Sequence, residues 1–235
     1  MTGTLRDGVR GIVFDLDGTL IDSYEAIAES LNAALETLGR PALPPAAVRS
    51  MVGRGLETLI ARALDPPEGA AASPADVARA VAAFRARYDA VCVPRTTLLP
   101  GVAVTLAGLH ARGYRMGVAT NKPSYFARRI LDALGVGDLM SSVYGPDRVT
   151  HHKPHPEMVH ALLASIGLPA AHALYVGDME VDVLTARAAG LRVAVLPTGS
   201  CSRADLERAG ADAVLPTFAS LLDLLPGPAL ESASS

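Results

Sequence analysis

The stretch GIVFDLDGTLIDS, residues 11–23, decides the fold. It opens with a short apolar run that ends on Asp15 and is followed by a turn at Gly18, the form of a strand buried on both faces. Four further runs of this kind occur: YRMGVAT at 114–120, SSVYG at 141–145, ALYVGD at 173–178 and LRVAVL at 191–196. Each is followed by a loop with Gly, Asp or Thr and then by a helical pattern. Strands alternating with helices predict an α/β fold with a doubly wound parallel sheet.

The alternation stops after the first strand. Between Asp22 and Leu98 only helical periodicity is present, with Tyr24, Ile27, Ala28, Leu31, Ala34, Leu35 and Leu38 on one face. Asp22 and Glu25 are spaced as a capping box, and Gly39 reads as the stop. After the PALPPAA turn (41–47), GLETLIARAL (55–64) and PADVARAVAAFRARYDAV (74–91) continue the helical pattern, separated by DPPEGAAAS (65–73). The expected organisation is therefore an α/β core of residues 1–21 and 99–225, an all-helical insert of residues 22–98, and a frayed tail, PGPALESASS, at 226–235. An insert after the first strand lies at the carboxyl edge of the sheet, where open α/β sheets bind ligands. It can cover a site there.

Composition narrows the function. The 235 residues suffice for one large or two unequal domains, and 50% hydrophobic with 19% charged residues excludes a disordered chain. A formal charge of −3 and only 4% aromatics without Trp provide neither a basic footprint nor stacking platforms, so nucleic acid is not an expected partner. Cys92 and Cys201 do not make a disulfide framework. The apolar run Ile12–Phe14 is too short for a signal segment, and no run approaches the roughly 18 residues of a membrane span. A soluble cytoplasmic protein, monomer or homodimer, is expected.

The chemistry gathers at the strand ends. In DLDGT, Asp15 and Asp17 are two residues apart, so in near-extended backbone both carboxylates reach one reacting group, and one can attack while the other transfers a proton. ATNKP brings Thr120 with the Asn121 and Lys122 amides to the same edge, where a hydroxyl and amides beside a helix start suit a phosphate oxygen. In VTHHKPHPEM (149–158), Lys153 precedes a proline and projects from a loop. His151, His152 and His155 match no familiar zinc spacing. YVGDMEVD sets Asp178 and Asp182 four apart, which with Asp15 makes an all-oxygen site suited to magnesium.

These motifs, in this order, resemble those of the haloacid dehalogenase-like (HAD) superfamily over nearly the whole chain, and the resemblance implies its Rossmann-like core. By that resemblance Asp15 is the nucleophile, Asp17 the general acid and base, Thr120 a phosphate ligand and Lys153 the organiser of nucleophile and phosphate. Asp178 is a magnesium ligand with Asp15 and the backbone carbonyl of Asp17, and Asp182 stands in the outer shell. The helical insert resembles the family's C1 cap. Within it MVGRGLETLI (51–60) resembles the cap segment of phosphoglycolate phosphatases, as does ATNKP. Thr19, Arg54 and Asn121 are the candidate substrate contacts, Arg54 reaching from between two glycines toward a carboxylate or phosphate.

The implied function is magnesium-dependent hydrolysis of a small phosphorylated metabolite, 2-phosphoglycolate or a similar organic phosphate, through an aspartyl phosphate. A sugar phosphomutase resembling β-phosphoglucomutase shares the chemistry. A dehalogenase would not need Asp17. Outside enzymes, a phospho-acceptor receiver would lack both the insert and DxDGT, and a silent interaction protein would have no use for the full motif set.

Overall fold

The structure, a computed structural model, describes residues 5–64 and 72–226. The tail expected at 226–235, beyond Pro226, and residues 65–71 of the loop expected at 65–73 lie outside the described residues. In chain order the elements are β1 (Gly11–Phe14), β2 (Ile21–Asp22), α1 (Tyr24–Glu36), α2 (Pro45–Arg49), α3 (Leu56–Leu64), α4 (Pro74–Val91) and β3 (Thr97–Leu98). There follow α5 (Val102–Ala111), β4 (Arg115–Ala119), α6 (Ser124–Ala133), β5 (Ser142–Tyr144), α7 (Glu157–Ser165) and β6 (Ala173–Gly177). The chain closes with α8 (Glu180–Ala188), β7 (Arg192–Val195), α9 (Arg203–Arg208), β8 (Ala213–Val214) and α10 (Ser220–Leu224).

Six strands form one sheet in the order β5-β4-β1-β6-β7-β8, and every pairing in it is parallel. The doubly wound α/β class read from the sequence is the observed one. β1 is central and fully buried, with Gly11 opposite both Arg115 and Ala173. Its side chains alternate between two cores, as the two-residue period of a strand requires. Ile12 and Phe14 join Met116, Val118, Leu174 and Val176 on one side, while Val13 joins Tyr175, Val193 and Val195 on the other. Helices must therefore cover both faces, which is why the strands are apolar throughout rather than alternating.

The first of those cores continues without interruption into α1, α3 and α4, through Leu31, Leu35, Ile60, Leu64, Phe84 and Tyr88. β2 and β3 pair antiparallel, with Ile21 opposite Leu98 and Asp22 opposite Thr97. The chain thus departs for α1–α4 and returns from them at a single place beside β1. That pairing draws Asp22 into extended backbone, so the capping box expected from Asp22 and Glu25 does not form. Ser23 occupies the N-cap, the Tyr24 amide donates to Asp22 Oδ1 (3.2 Å), and Glu25 instead pairs with Arg95 (2.8 Å). Gly39, at φ +65°, ends α1 as expected, with the Arg40 amide donating back to Leu35 O.

Candidate active site

Five loops meet at the carboxyl edge of the sheet. The Asp15 amide still donates to Val176 O (2.9 Å), so β1 and β6 remain paired up to the residue that carries the carboxylate. The chain then folds back tightly, with the Thr19, Leu20 and Ile21 amides all reaching Leu16 O. Gly18 permits this turn at φ +84°, a region that L side chains rarely adopt. A Cβ there would also lie 2.4 Å from Asp178 Oδ2.

Asp15 and Lys153 form the centre. Lys153 Nζ lies 2.9 Å from Asp15 Oδ1 and 2.8 Å from Asp182 Oδ1, and its side chain is only 1% exposed. Lys153 is thus no solvated surface lysine. Burial disfavours its charge, but the carboxylates of Asp15 and Asp182 prevail and hold the ammonium well above the usual lysine range. Burial pushes Asp15 up to about 6, with Lys153 opposing and Asp182 reinforcing the rise. Asp178 is held well above the usual carboxylate range by burial and by its neighbours Asp182 and Asp15.

Asp15, Asp178 and Asp182 each bring a carboxylate oxygen within 4.8 Å of the others, all buried. One buried ammonium does not balance three carboxylates. Asp178 Oδ2 is buried and has no hydrogen-bond partner, a costly state for an acceptor. A Cβ on Gly199 would sit 1.6 Å from that same oxygen, so only glycine leaves the carboxylate its place. The chemistry of these donors, hard anionic oxygens with an unpartnered lone pair, fits a divalent cation such as magnesium.

The remaining expected residues divide into those that face the reaction centre and those that support it. Thr120, buried at the end of β4, accepts from the Lys122 amide (3.2 Å) and lines the cavity above Asp15. That amide is therefore already engaged, and α6 begins at Ser124 with Pro123 as N-cap. Asp17 lines the same cavity, its Oδ1 accepting from Lys122 Nζ (2.5 Å) and from the Ser23 hydroxyl.

The three residues expected to contact substrate sit as follows. Thr19, 1% exposed, spends its hydroxyl on Asp178 Oδ1 (2.6 Å), because the tight DxDGT turn aims it inward. Asn121 lines the cavity, but its carboxamide is committed to backbone: it donates to Gly53 O (3.0 Å) and Lys153 O (3.4 Å) and accepts from Lys153 N (3.1 Å). Arg54 is exposed and does not line the cavity, whereas Gly53 and Gly55 do. Gly53 and Gly55 flank Arg54 at φ +114° and +90°, backbone that favours glycine. Both Asp182 oxygens are engaged, Oδ2 taking the Asp178 and Met179 amides and Oδ1 taking Lys153 and the Tyr175 hydroxyl (3.2 Å).

Several participants were not anticipated. Tyr175, within the apolar run of β6, brings a hydroxyl to both Asp182 and Lys153, and nothing in that run distinguishes it from core. Lys122 contributes its side chain as well as its amide, the ammonium bonding Asp17 Oδ1 across 105 residues of chain. Arg49, at the end of α2, donates to Thr198 O (2.7 Å) and Gly199 O (3.2 Å), fastening the loop that adjoins Asp178. Away from the centre, His151, His155 and Glu157 cluster at the surface, with both Glu157 oxygens taken by the Thr150 and His151 amides.

Residues 12–196 match the haloacid dehalogenase-like hydrolase family, and the chain belongs to it. It is 40% identical to a phosphoglycolate phosphatase of Rhodospirillum rubrum, over 93% of this chain and 92% of that protein. It is 37% identical to a phosphoglycolate phosphatase of Yersinia pseudotuberculosis, over 95% and 96% respectively. The crystal structure of a predicted phosphoglycolate phosphatase from Haemophilus somnus 129pt superposes with a TM-score of 0.86 at 30% identity, covering 92% of this chain and 98% of that one. With such relatives matched along almost its whole length, the protein is a phosphatase of that family.

Proposed function

We propose that the protein is a magnesium-dependent phosphatase that hydrolyses 2-phosphoglycolate, or a phosphomonoester close to it, through an aspartyl phosphate on Asp15. The observation that carries this reading is the unpartnered, buried Asp178 oxygen beside Asp15 and Lys153 at the carboxyl end of the sheet. The substrate class follows the names of the relatives.

In this reading Asp15 Oδ attacks phosphorus in line, and the ester bond breaks as the leaving oxygen takes a proton from Asp17. Water then attacks the aspartyl phosphate, giving its proton to Asp17, and releases phosphate with regeneration of the Asp15 carboxylate. Lys153 holds Asp15 in place and offsets charge on the incoming phosphate. Thr120 presents its hydroxyl to a phosphate oxygen. Magnesium would be held by Asp15, Asp178 and the backbone carbonyl of Asp17, with Asp182 fixing the loop around them. When bound it supplies positive charge against the repulsion between carboxylate and phosphate, which for unit charges at 4 Å and an effective dielectric of 20 is about 4 kcal/mol.

The division into an α/β core (1–21, 99–225) and a helical cap (22–98) belongs to the same reading. It is supported by the antiparallel pairing of Asp22 with Thr97 at the point of departure and return. The cap covers the reaction centre and excludes bulk water from it. Two free cysteines support a reducing cytoplasm as its compartment. Among the described residues no helix is long and apolar enough to cross a membrane.

The test is inorganic phosphate release from 2-phosphoglycolate, sugar phosphates, nucleotides and pyrophosphate, each with magnesium and with chelator. The expected result is magnesium-dependent release, fastest from 2-phosphoglycolate. Equal rates with chelator would overturn the metal assignment, and preferred turnover of a sugar phosphate would overturn the substrate.

A further inference from the structure

We propose that Lys122, assisted by Arg85 at the rim, forms the subsite that holds an anionic group on the non-reacting end of the substrate, and so selects phosphomonoesters that carry a nearby carboxylate. This rests on the phosphatase reading above and adds the residues that discriminate among esters.

The cavity over Asp15, Asp17 and Thr120 is walled by apolar side chains from the helical segment between β2 and β3, among them Val52, Leu56, Phe84 and Tyr88, with Phe126 from α6. An anion cannot enter such surroundings without a compensating charge or hydrogen bonds. Lys122 and Arg85 are the cationic side chains among the residues lining it. Arg54, the residue the sequence favoured for this task, is exposed and outside that lining.

Lys122 is suited to the role by position. Its side chain is 6% exposed, its ammonium bonds Asp17 Oδ1 at 2.5 Å, and it lies 5.1 Å from the centre of the Tyr88 ring on α4. An ammonium offers three donors, so a bond to Asp17 does not exhaust it. Because Lys122 touches the proposed proton donor to the leaving oxygen, the anion it reads must be attached close to that oxygen, as the carboxylate of a phosphorylated 2-hydroxy acid is. Arg85 is half-exposed and pairs with exposed Glu57 at 3.4 Å, an arrangement that solvent screens and a substrate anion can displace.

The experiment compares kcat/KM for 2-phosphoglycolate and for ethyl phosphate, which replaces the carboxylate with a methyl group, in the full-length wild-type protein and in Lys122→Met, Lys122→Gln, Lys122→Arg and Arg85→Gln. Any effect of Lys122 transmitted through Asp17 acts on both esters and cancels in their ratio. The wild type is expected to prefer 2-phosphoglycolate. Lys122→Met and Lys122→Gln should lower that preference by about 10 to 100-fold, chiefly through KM, the scale of one lost charge-assisted hydrogen bond. Lys122→Arg should keep most of it, and Arg85→Gln should lower it by a smaller factor. The proposal is overturned if the wild type shows no preference, or if either neutral variant retains the full preference; the two neutral substitutions guard against one that fails to fold. A wild type that releases phosphate from no ester would instead overturn the phosphatase reading itself.

Discussion

Replacing Asn121 by Ala tests whether this residue acts as a bracket rather than as a substrate ligand. Its carboxamide makes three bonds to main chain, to Gly53 O at 3.0 Å, to Lys153 O at 3.4 Å and from Lys153 N at 3.1 Å, and the residue is only 8% exposed. A neutral hydrogen bond contributes about 1 kcal/mol net, and the Lys153 amide stranded by the truncation costs about 1–3 kcal/mol; counting the long contact as weak, the loss comes to roughly 2–4 kcal/mol. For a chain of this size each kcal/mol lowers Tm by about 2–4 °C, so the variant should melt roughly 4–16 °C below wild type. The Lys153 main chain is also released, loosening the ammonium that sits 2.9 Å from Asp15, and kcat should fall at least about tenfold, since a displacement of order 1 Å at a reacting centre can cost about 100-fold. Thermal melting followed by circular dichroism, with phosphate release below the transition, measures both effects. A variant that melts within about 1 °C of wild type with unchanged kcat would refute the bracket. One that keeps its Tm but loses KM for every ester would restore Asn121 as a ligand.

Asp17→Asn keeps the shape of the side chain but removes proton transfer, generally worth 10² to 10⁴-fold. The loss should be larger for alkyl phosphates than for p-nitrophenyl phosphate, whose leaving group departs without a proton, and equal losses would count against the acid role. Arg54→Ala should change kcat/KM for 2-phosphoglycolate by less than about threefold, because the guanidinium is exposed and outside the cavity. A tenfold loss confined to that anionic ester would show that the segment around Gly53 and Gly55 turns inward on binding.

The large features of the fold were legible because burial on two faces leaves a strong mark. Ile12–Phe14 and the runs at 114–120, 141–145, 173–178 and 191–196 all became strands of the main sheet. The strands that escaped notice, β2, β3 and β8, are two residues long each, too short for any periodicity to register. The same shortness explains the misplaced capping box, since no pattern at Asp22 announces its pairing with Thr97. At the site, Asp15, Lys153, Asp178 and Asp182 were legible because a parallel sheet brings the ends of its strands to one edge. What the sequence withheld were contacts between loops: Asn121 to Gly53 and Arg49 to Thr198, made where α1–α4 and their loops meet that edge, and Lys122 to Asp17, made between the loops after β4 and β1. Each joins residues far apart in the chain, and neither spacing nor composition encodes such a meeting. Thr19 is a different case: its motif is plain, but the bond of its hydroxyl to Asp178 depends on the backbone turn at Gly18.

Whether Asp15 attacks phosphorus is tested by phosphate release from 2-phosphoglycolate by Asp15→Asn with saturating magnesium. The substitution retains volume while removing the nucleophilic carboxylate that Lys153 holds at 2.9 Å. Turnover should fall by several orders of magnitude, with a circular dichroism spectrum like that of wild type. Turnover within tenfold of wild type by a purified, folded Asp15→Asn protein would contradict it.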